Sequence, residues 1–74
     1  MMHSEIGKRT AEVLLEREAQ TGVPARTQLE NMSMRPRNLS AWQSEGRNPG
    51  GYALSQMALA GYDVMYILTG RRTI

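Results

Sequence analysis

Gly61-Tyr62-Asp63-Val64-Met65-Tyr66-Ile67-Leu68-Thr69-Gly70 reads as one short helix with both ends marked. Asp63 is a strong N-cap residue, because its carboxylate can accept the unpaired amides of a first helical turn. Val64, Ile67 and Leu68 fall three and four apart and give one apolar face. Gly70 suits the left-handed position after the last turn. Arg71-Arg72-Thr73-Ile74 follows as a short basic tail.

Working back from this segment, Tyr52 to Ala60 forms a further helical stretch with Leu54, Met57 and Ala58 inward and Gly61 as its stop. Gly46-Arg47-Asn48-Pro49-Gly50-Gly51 is loop by composition. Before it lie two short helices, Pro24 to Met32 and Pro36 to Ser44, joined by Ser33-Met34-Arg35. Each opens on a proline, whose missing N–H costs nothing in a first turn. Ala25, Leu29 and Met32 share a face in one; Leu39 and Trp42 share a face in the other. The first helix spans Ser4 to Gln20, with Ser4 as cap, Glu5 favourable to the dipole, and Gly22 as stop. Its inward face carries Ile6, Thr10, Val13, Leu14 and Arg17. No alternating strand pattern competes. The expected class is all-α: five helices in a single domain over residues 1–74.

With 74 residues the chain buries a small core, and dimerisation or a partner is expected to add stability. There is no cysteine, so neither disulfides nor thiolate metal sites are available. No apolar run is long enough to span a bilayer and no signal-like segment opens the chain, so a cytoplasmic setting without membrane contact is expected. Net charge is +2, but its distribution is uneven. Lys8, Arg9 and Arg17 face four glutamates in residues 1–22, whereas Arg26, Arg35, Arg37 and Arg47 face only Glu30 and Glu45 in residues 23–50. Arginine forks onto phosphates and guanine edges better than lysine.

Two short helices with a three-residue joint can cross steeply and hold the second out as a probe. That probe begins Pro36-Arg37-Asn38. Arginine can bridge guanine O6 and N7, and asparagine can bridge adenine N6 and N7. Catalytic readings find no support. His3 is the only histidine, so Ser40, Ser44 and Ser55 have no ordered base and no metal set forms. Glu12 and Glu16 read as solvated carboxylates on a glutamate-rich face. The three glycines of the 46–51 loop are not followed by the lysine of a phosphate-binding loop. No cofactor is implied, and an enzyme is not expected. Met32, Met34, Met57 and Met65 read as core filler, with Met34 as a candidate for partial exposure in the joint.

Residues 61–70 resemble the last helix of the lambda-repressor/Cro-type helix-turn-helix family, with its glycine, capping residue, apolar residue, aromatic, two aliphatics and final glycine. Pro36-Arg37-Asn38-Leu39-Ser40-Ala41-Trp42 is similar to that family's recognition helix, and Glu45-Gly46-Arg47-Asn48-Pro49 to its following loop. The resemblance covers about residues 6–70 and implies a compact five-helix DNA-binding domain with a helix-turn-helix at about 24–44. It implies a repressor or Cro-like regulator, of phage or prophage type, that binds double-stranded DNA at a palindromic operator as a homodimer. By the same resemblance, base-reading positions fall on Pro36, Arg37, Asn38 and Ala41, with Ser40 beside them, and Ala41 can meet a thymine methyl. Phosphate positions fall on Arg26, Arg35 and Arg47, and the amides near Pro24-Ala25 are expected to face a phosphate. The dimer contact is expected at Tyr66, Ile67 and Ile74.

The chain departs from the family pattern in places. Ala25 stands where glutamine is usual, and Gln28 where a core leucine is usual. Leu29 replaces an alanine, which predicts a wider helix crossing or a compensating shift. Ser33 replaces the turn glycine, and Arg35 replaces a serine or threonine cap. One extra residue lies between Trp42 and Gly46. Few basic residues, Pro36 and Ala41 at reading positions, and apolar Met34 near the exposed end motivate an alternative: a protein-binding module on the same fold, an antitoxin or an inhibitor of a host regulator.

Overall fold

The computed structural model describes residues 5–72 and contains five helices and, among the described residues, no strand. The expected Ser4 cap, His3, and Thr73 and Ile74 of the tail lie outside the described residues. No helix of the described residues is long and apolar enough to cross a membrane.

The long helix α1 (Ile6–Thr21) is the spine, and α2 (Ala25–Asn31), α3 (Asn38–Ser44) and α5 (Val64–Thr69) all pack on it. The remaining helix, α4 (Gly51–Leu59), packs on α5. Leu14, Leu29, Met57 and Ile67 are fully buried where these helices converge, with Trp42, Met32 and Met34 closing the core. Each such apolar side chain contributes on the order of 2 kcal/mol of transfer free energy.

Gln28, which stands where an aliphatic residue was expected, is buried and fully bonded. Its Nε2 donates to the carbonyls of Leu14 (3.0 Å) and Val23 (2.9 Å), and its Oε1 accepts from the Tyr62 hydroxyl (2.5 Å). A buried amide is tolerated only with such partners. Here it ties α2 to α1 and to the start of α5. Leu29 at the crossing is accommodated without exposure.

The joint between α2 and α3 is longer than three residues. The Met34 N–H donates to the Leu29 carbonyl (2.9 Å) and the Ser33 N–H to the Glu30 carbonyl (3.0 Å). That is a Schellman ending, completed by contact of buried Met34 with the core that holds Leu29. Ser33 occupies its left-handed position at φ 60°. Met34 is therefore core and not an exposed turn residue, because the motif folds it back under α2. Helix α3 begins at Asn38, two residues later than the pattern predicts. Asn38 and Leu39 donate to the carbonyls of Arg35 and Pro36 three residues back (3.1 Å each), so Pro36–Arg37 is a tightened lead-in. Leaving the core, Ala58 is exposed and Leu68 is 43% exposed, while Ala53 is buried; the inward stripe of α4 runs through Ala53 and Met57. The Asp63 carboxylate caps α5 by accepting from the Tyr66 N–H (2.9 Å), and Gly70 is left-handed, both as the sequence predicts.

Candidate nucleic-acid interface

An open groove of about 820 Å³ runs along the outer side of α3. Arg35, Arg37, Asn38, Ser40, Ala41 and Arg47 all line it, so six of the eight residues expected to meet DNA converge on one surface. Arg26 and Pro36 do not line it: Arg26 is exposed in the first turn of α2, and Pro36 is half-buried in the lead-in. Asn48 and Tyr52, to which sequence reasoning gave no role, complete the wall.

The charges of this surface, and Arg26 on α2 outside it, are open. Arg26, Arg35 and Arg37 are exposed and make no ion pair with any described residue. Arg47 lies 4.0 Å from Glu45 with 76% of its side chain exposed. An exposed pair at that distance is worth no more than about 1 kcal/mol, so the guanidinium stays available. Glu45 is the one carboxylate on the groove wall.

On the opposite side three arginines are engaged internally, while exposed Arg71 makes no ion pair with a described residue. Arg9 Nε donates to the Ile67 carbonyl (2.9 Å) at the end of α5. Arg17 lies 3.7 Å over the Tyr62 ring and donates to the Ala60 carbonyl (3.1 Å). Arg72 lies 3.7 Å over the Tyr66 ring and pairs with Glu16 (2.7 Å) and Glu12 (3.3 Å). The Tyr66 hydroxyl donates to the Glu12 carboxylate, which holds the phenol above its ordinary value of 10.0. Burial raises the Tyr62 phenol, with Arg17 opposing. The hydrogen bond to Glu16 raises Arg72. Glu12 and Glu16, read from sequence as solvated, are 43% and 42% exposed and in addition pair with Arg72 of the tail.

Two further expectations need correction. The Ala25 amide, expected to face a phosphate, donates to the Glu18 carboxylate (2.9 Å), so an internal anion already satisfies it. Ile67, expected at a dimer contact, is wholly buried beneath α5 and offers a second copy no side-chain surface. Tyr66 is half-buried in the Glu12–Arg72 cluster, and Ile74 lies outside the described residues.

Sequence reasoning also missed Gly7. A glycine inside an otherwise regular helix is the available signal, since it marks a close backbone approach. Gly7 sits against the Arg47 and Trp42 carbonyls, and its N–H donates to Asn48 Oδ1 (3.2 Å). Comparison of the chain with protein-family profiles, characterised proteins and solved structures gives no match.

Proposed function

We propose that this chain is a sequence-specific DNA-binding transcriptional regulator of the lambda-repressor/Cro type, a repressor or Cro-like protein, in which α2 and α3 act as the helix-turn-helix. The observation that carries the reading is the groove along α3, where Arg35, Arg37, Asn38, Ser40 and Arg47 converge and the arginines remain free of strong internal ion pairs. Arg37 and Asn38, at the start of α3, read base edges in the major groove, with Ser40 and Ala41 beside them. Arg26, Arg35 and Arg47 neutralise phosphates and set register. The role needs neither cofactor nor catalysis, and it belongs in the cytoplasm with the DNA.

A two-fold dimer would set its two probes about 34 Å apart on a pseudo-palindromic operator. Met65 and Leu68, three apart on α5 and 55% and 43% exposed, take over the contact that Ile67 cannot make. The alternative of a protein-binding module, antitoxin or inhibitor, loses one support because Met34 is buried.

The test is selection of a preferred site from a random duplex pool, followed by anisotropy titration. Arg37→Ala is expected to cost about 1–3 kcal/mol of specific affinity and to relax preference at one base pair. Unchanged affinity and preference would remove Arg37 as a reader. Absence of any binding at low salt would overturn the DNA reading.

A further inference from the structure

Arg47 has an exposed side chain on a tightly held backbone, and the two facts belong together. Its N–H donates to the Ala41 carbonyl (3.2 Å) at the end of α3. Its carbonyl oxygen lies so close to α1 that a methyl group on Gly7 would fall 2.1 Å from it, and 2.8 Å from the Trp42 carbonyl oxygen. Real side-chain carbons do not approach backbone oxygens that closely, so only glycine admits the loop here. The next residue locks the contact: Asn48 Oδ1 accepts the Gly7 N–H (3.2 Å). Glu5, the N-cap residue of α1, makes no side-chain cap bond. The loop thus supplies from a distance an acceptor for an amide that the start of a helix leaves unpaired. Pro49, directly after it, is buried and stiffens the exit.

We infer that Gly7 and Asn48 are positioning residues for the phosphate contact of Arg47, with the first turn of α1 acting as the seat of the α3–α4 loop. The inference rests on the reading of the α3 groove as a DNA surface. Its physical content is pre-organisation. A long cationic side chain on a loose loop must order both itself and its backbone on binding, whereas a seated loop leaves only the side chain to order. Neither Gly7 nor Asn48 carries charge, so neither neutralises a phosphate itself. Asn48 also lines the groove, and the double variant with Arg47→Ala separates a contact of its own from an effect that passes through Arg47.

Salt dependence separates this role from general stability. Each phosphate neutralised contributes about 0.9 to the slope of log K against log salt on duplex DNA. Binding to a short mixed-sequence duplex is measured across a salt series for the wild type, Asn48→Ala, Arg47→Ala and the double variant. Asn48→Ala changes an exposed loop side chain and leaves the core intact. It is expected to weaken binding about threefold to tenfold and to lower the slope by part of one phosphate, although it removes no charge. Arg47→Ala is expected to lower the slope by about 0.9, and the double variant to be no worse than Arg47→Ala by more than about twofold. Gly7→Ala, which forces the loop and the end of α3 to move, is expected to lower the slope at least as much as Asn48→Ala, and fluorescence of Trp42, the only tryptophan, reports that shift. A wild-type slope for Asn48→Ala, or losses that simply multiply in the double variant, overturns the positioning role while the DNA reading stands. A wild type that binds no duplex at low salt overturns both.

Discussion

The two sides of this small protein treat arginine differently. On the α1–α5 side, Arg9, Arg17 and Arg72 are bound to carbonyls, tyrosine rings and carboxylates of their own chain. On the α2–α3 side, Arg26, Arg35 and Arg37 touch no described acid, and Arg47 has only a distant one. A guanidinium that is already paired must lose that partner before it binds another anion. One that is open carries its full charge to the surface. Net charge alone hides this division, because the chain as a whole is only +2. Arg71 is the exception on the α1–α5 side, exposed and without an ion pair to a described residue. The contrast is therefore one of proportion: one open arginine of four there against three of four on the α2–α3 side, with Arg47 only distantly paired.

Gln28 joins the two sides, and removing it is expected to give the largest effect. Its amide links α2 to the Leu14 carbonyl of α1 and to the Tyr62 hydroxyl, whose ring lies under Arg17. Gln28→Leu keeps the bulk but takes away the acceptor to which the Tyr62 hydroxyl donates. The expected loss is about 2–4 kcal/mol of unfolding free energy in a urea titration followed by Trp42 fluorescence. Tyr62→Phe in that background is expected to recover about 1 kcal/mol, since it removes the orphaned group. A loss below about 0.5 kcal/mol for Gln28→Leu would mean that the amide does not bridge the two sides.

The arginines themselves give a direct cross-test. Arg35→Gln is expected to leave the unfolding midpoint in place and to weaken duplex binding several-fold at low salt, with about 0.9 less salt slope. Arg17→Gln removes the contact over Tyr62 and the bond to the Ala60 carbonyl, so it is expected to cost about 1–2 kcal/mol of stability. Its salt slope is expected to stay at the wild-type value. If both variants lose binding in parallel with stability, the division between open and engaged arginines carries no functional meaning.

Much of this was legible in the residues. Helical periodicity, the Asp63 cap and the glycine stops gave all five helices, because these signals are local and each has its own physical cause. Arg37 and Asn38 at the head of the probe were legible in the residues, and the family resemblance implied Arg35 and Arg47 beside them; the four line one groove. What could not be read is tertiary. Nothing near Glu18 in sequence announces that its carboxylate reaches the Ala25 amide, or near Glu12 that it holds Tyr66, 54 positions away. An apolar residue looks the same in sequence whether it meets its own core or a second copy, so Ile67 reads as a dimer contact although it lies in the core. Gly7 carried a signal, an unneeded glycine in a helix, but its partner lies 41 positions away in Asn48.

Within the α2–α3 side, the turn offers a smaller effect in the opposite direction. Two helices end in Schellman motifs: α4 with Gly61 at φ 89° and α2 with Ser33 at φ 60°. The left-handed conformation costs a residue with a Cβ about 1 kcal/mol, partly offset by the greater chain entropy of glycine when unfolded. Ser33→Gly is expected to raise stability by about 0.5–1 kcal/mol without altering the salt slope, because Ser33 brings no charge to the groove. A destabilised Ser33→Gly would show that the serine side chain makes its own contribution to the turn.

The smallest expected effect lies in the cluster that anchors the tail. The Glu12 hydrogen bond holds the Tyr66 phenol above its ordinary value of 10.0, and burial does the same at Tyr62. A tyrosine with a raised value keeps its proton longer in the folded chain than in the unfolded one. Its contribution is therefore whole below about pH 10 and declines as the pH climbs through the folded-state value. Tyr66→Phe removes the Glu12 bond at neutral pH but also removes one of the groups that titrates. The variant is expected to start slightly less stable than the wild type and to lose stability less steeply between pH 9 and 11, as read by thermal melts across roughly that range. DNA binding at neutral pH is expected to stay unchanged, because the cluster does not line the α3 groove. A change in binding for Tyr66→Phe would instead connect the tail to the α3 groove and dissolve the separation of the two sides.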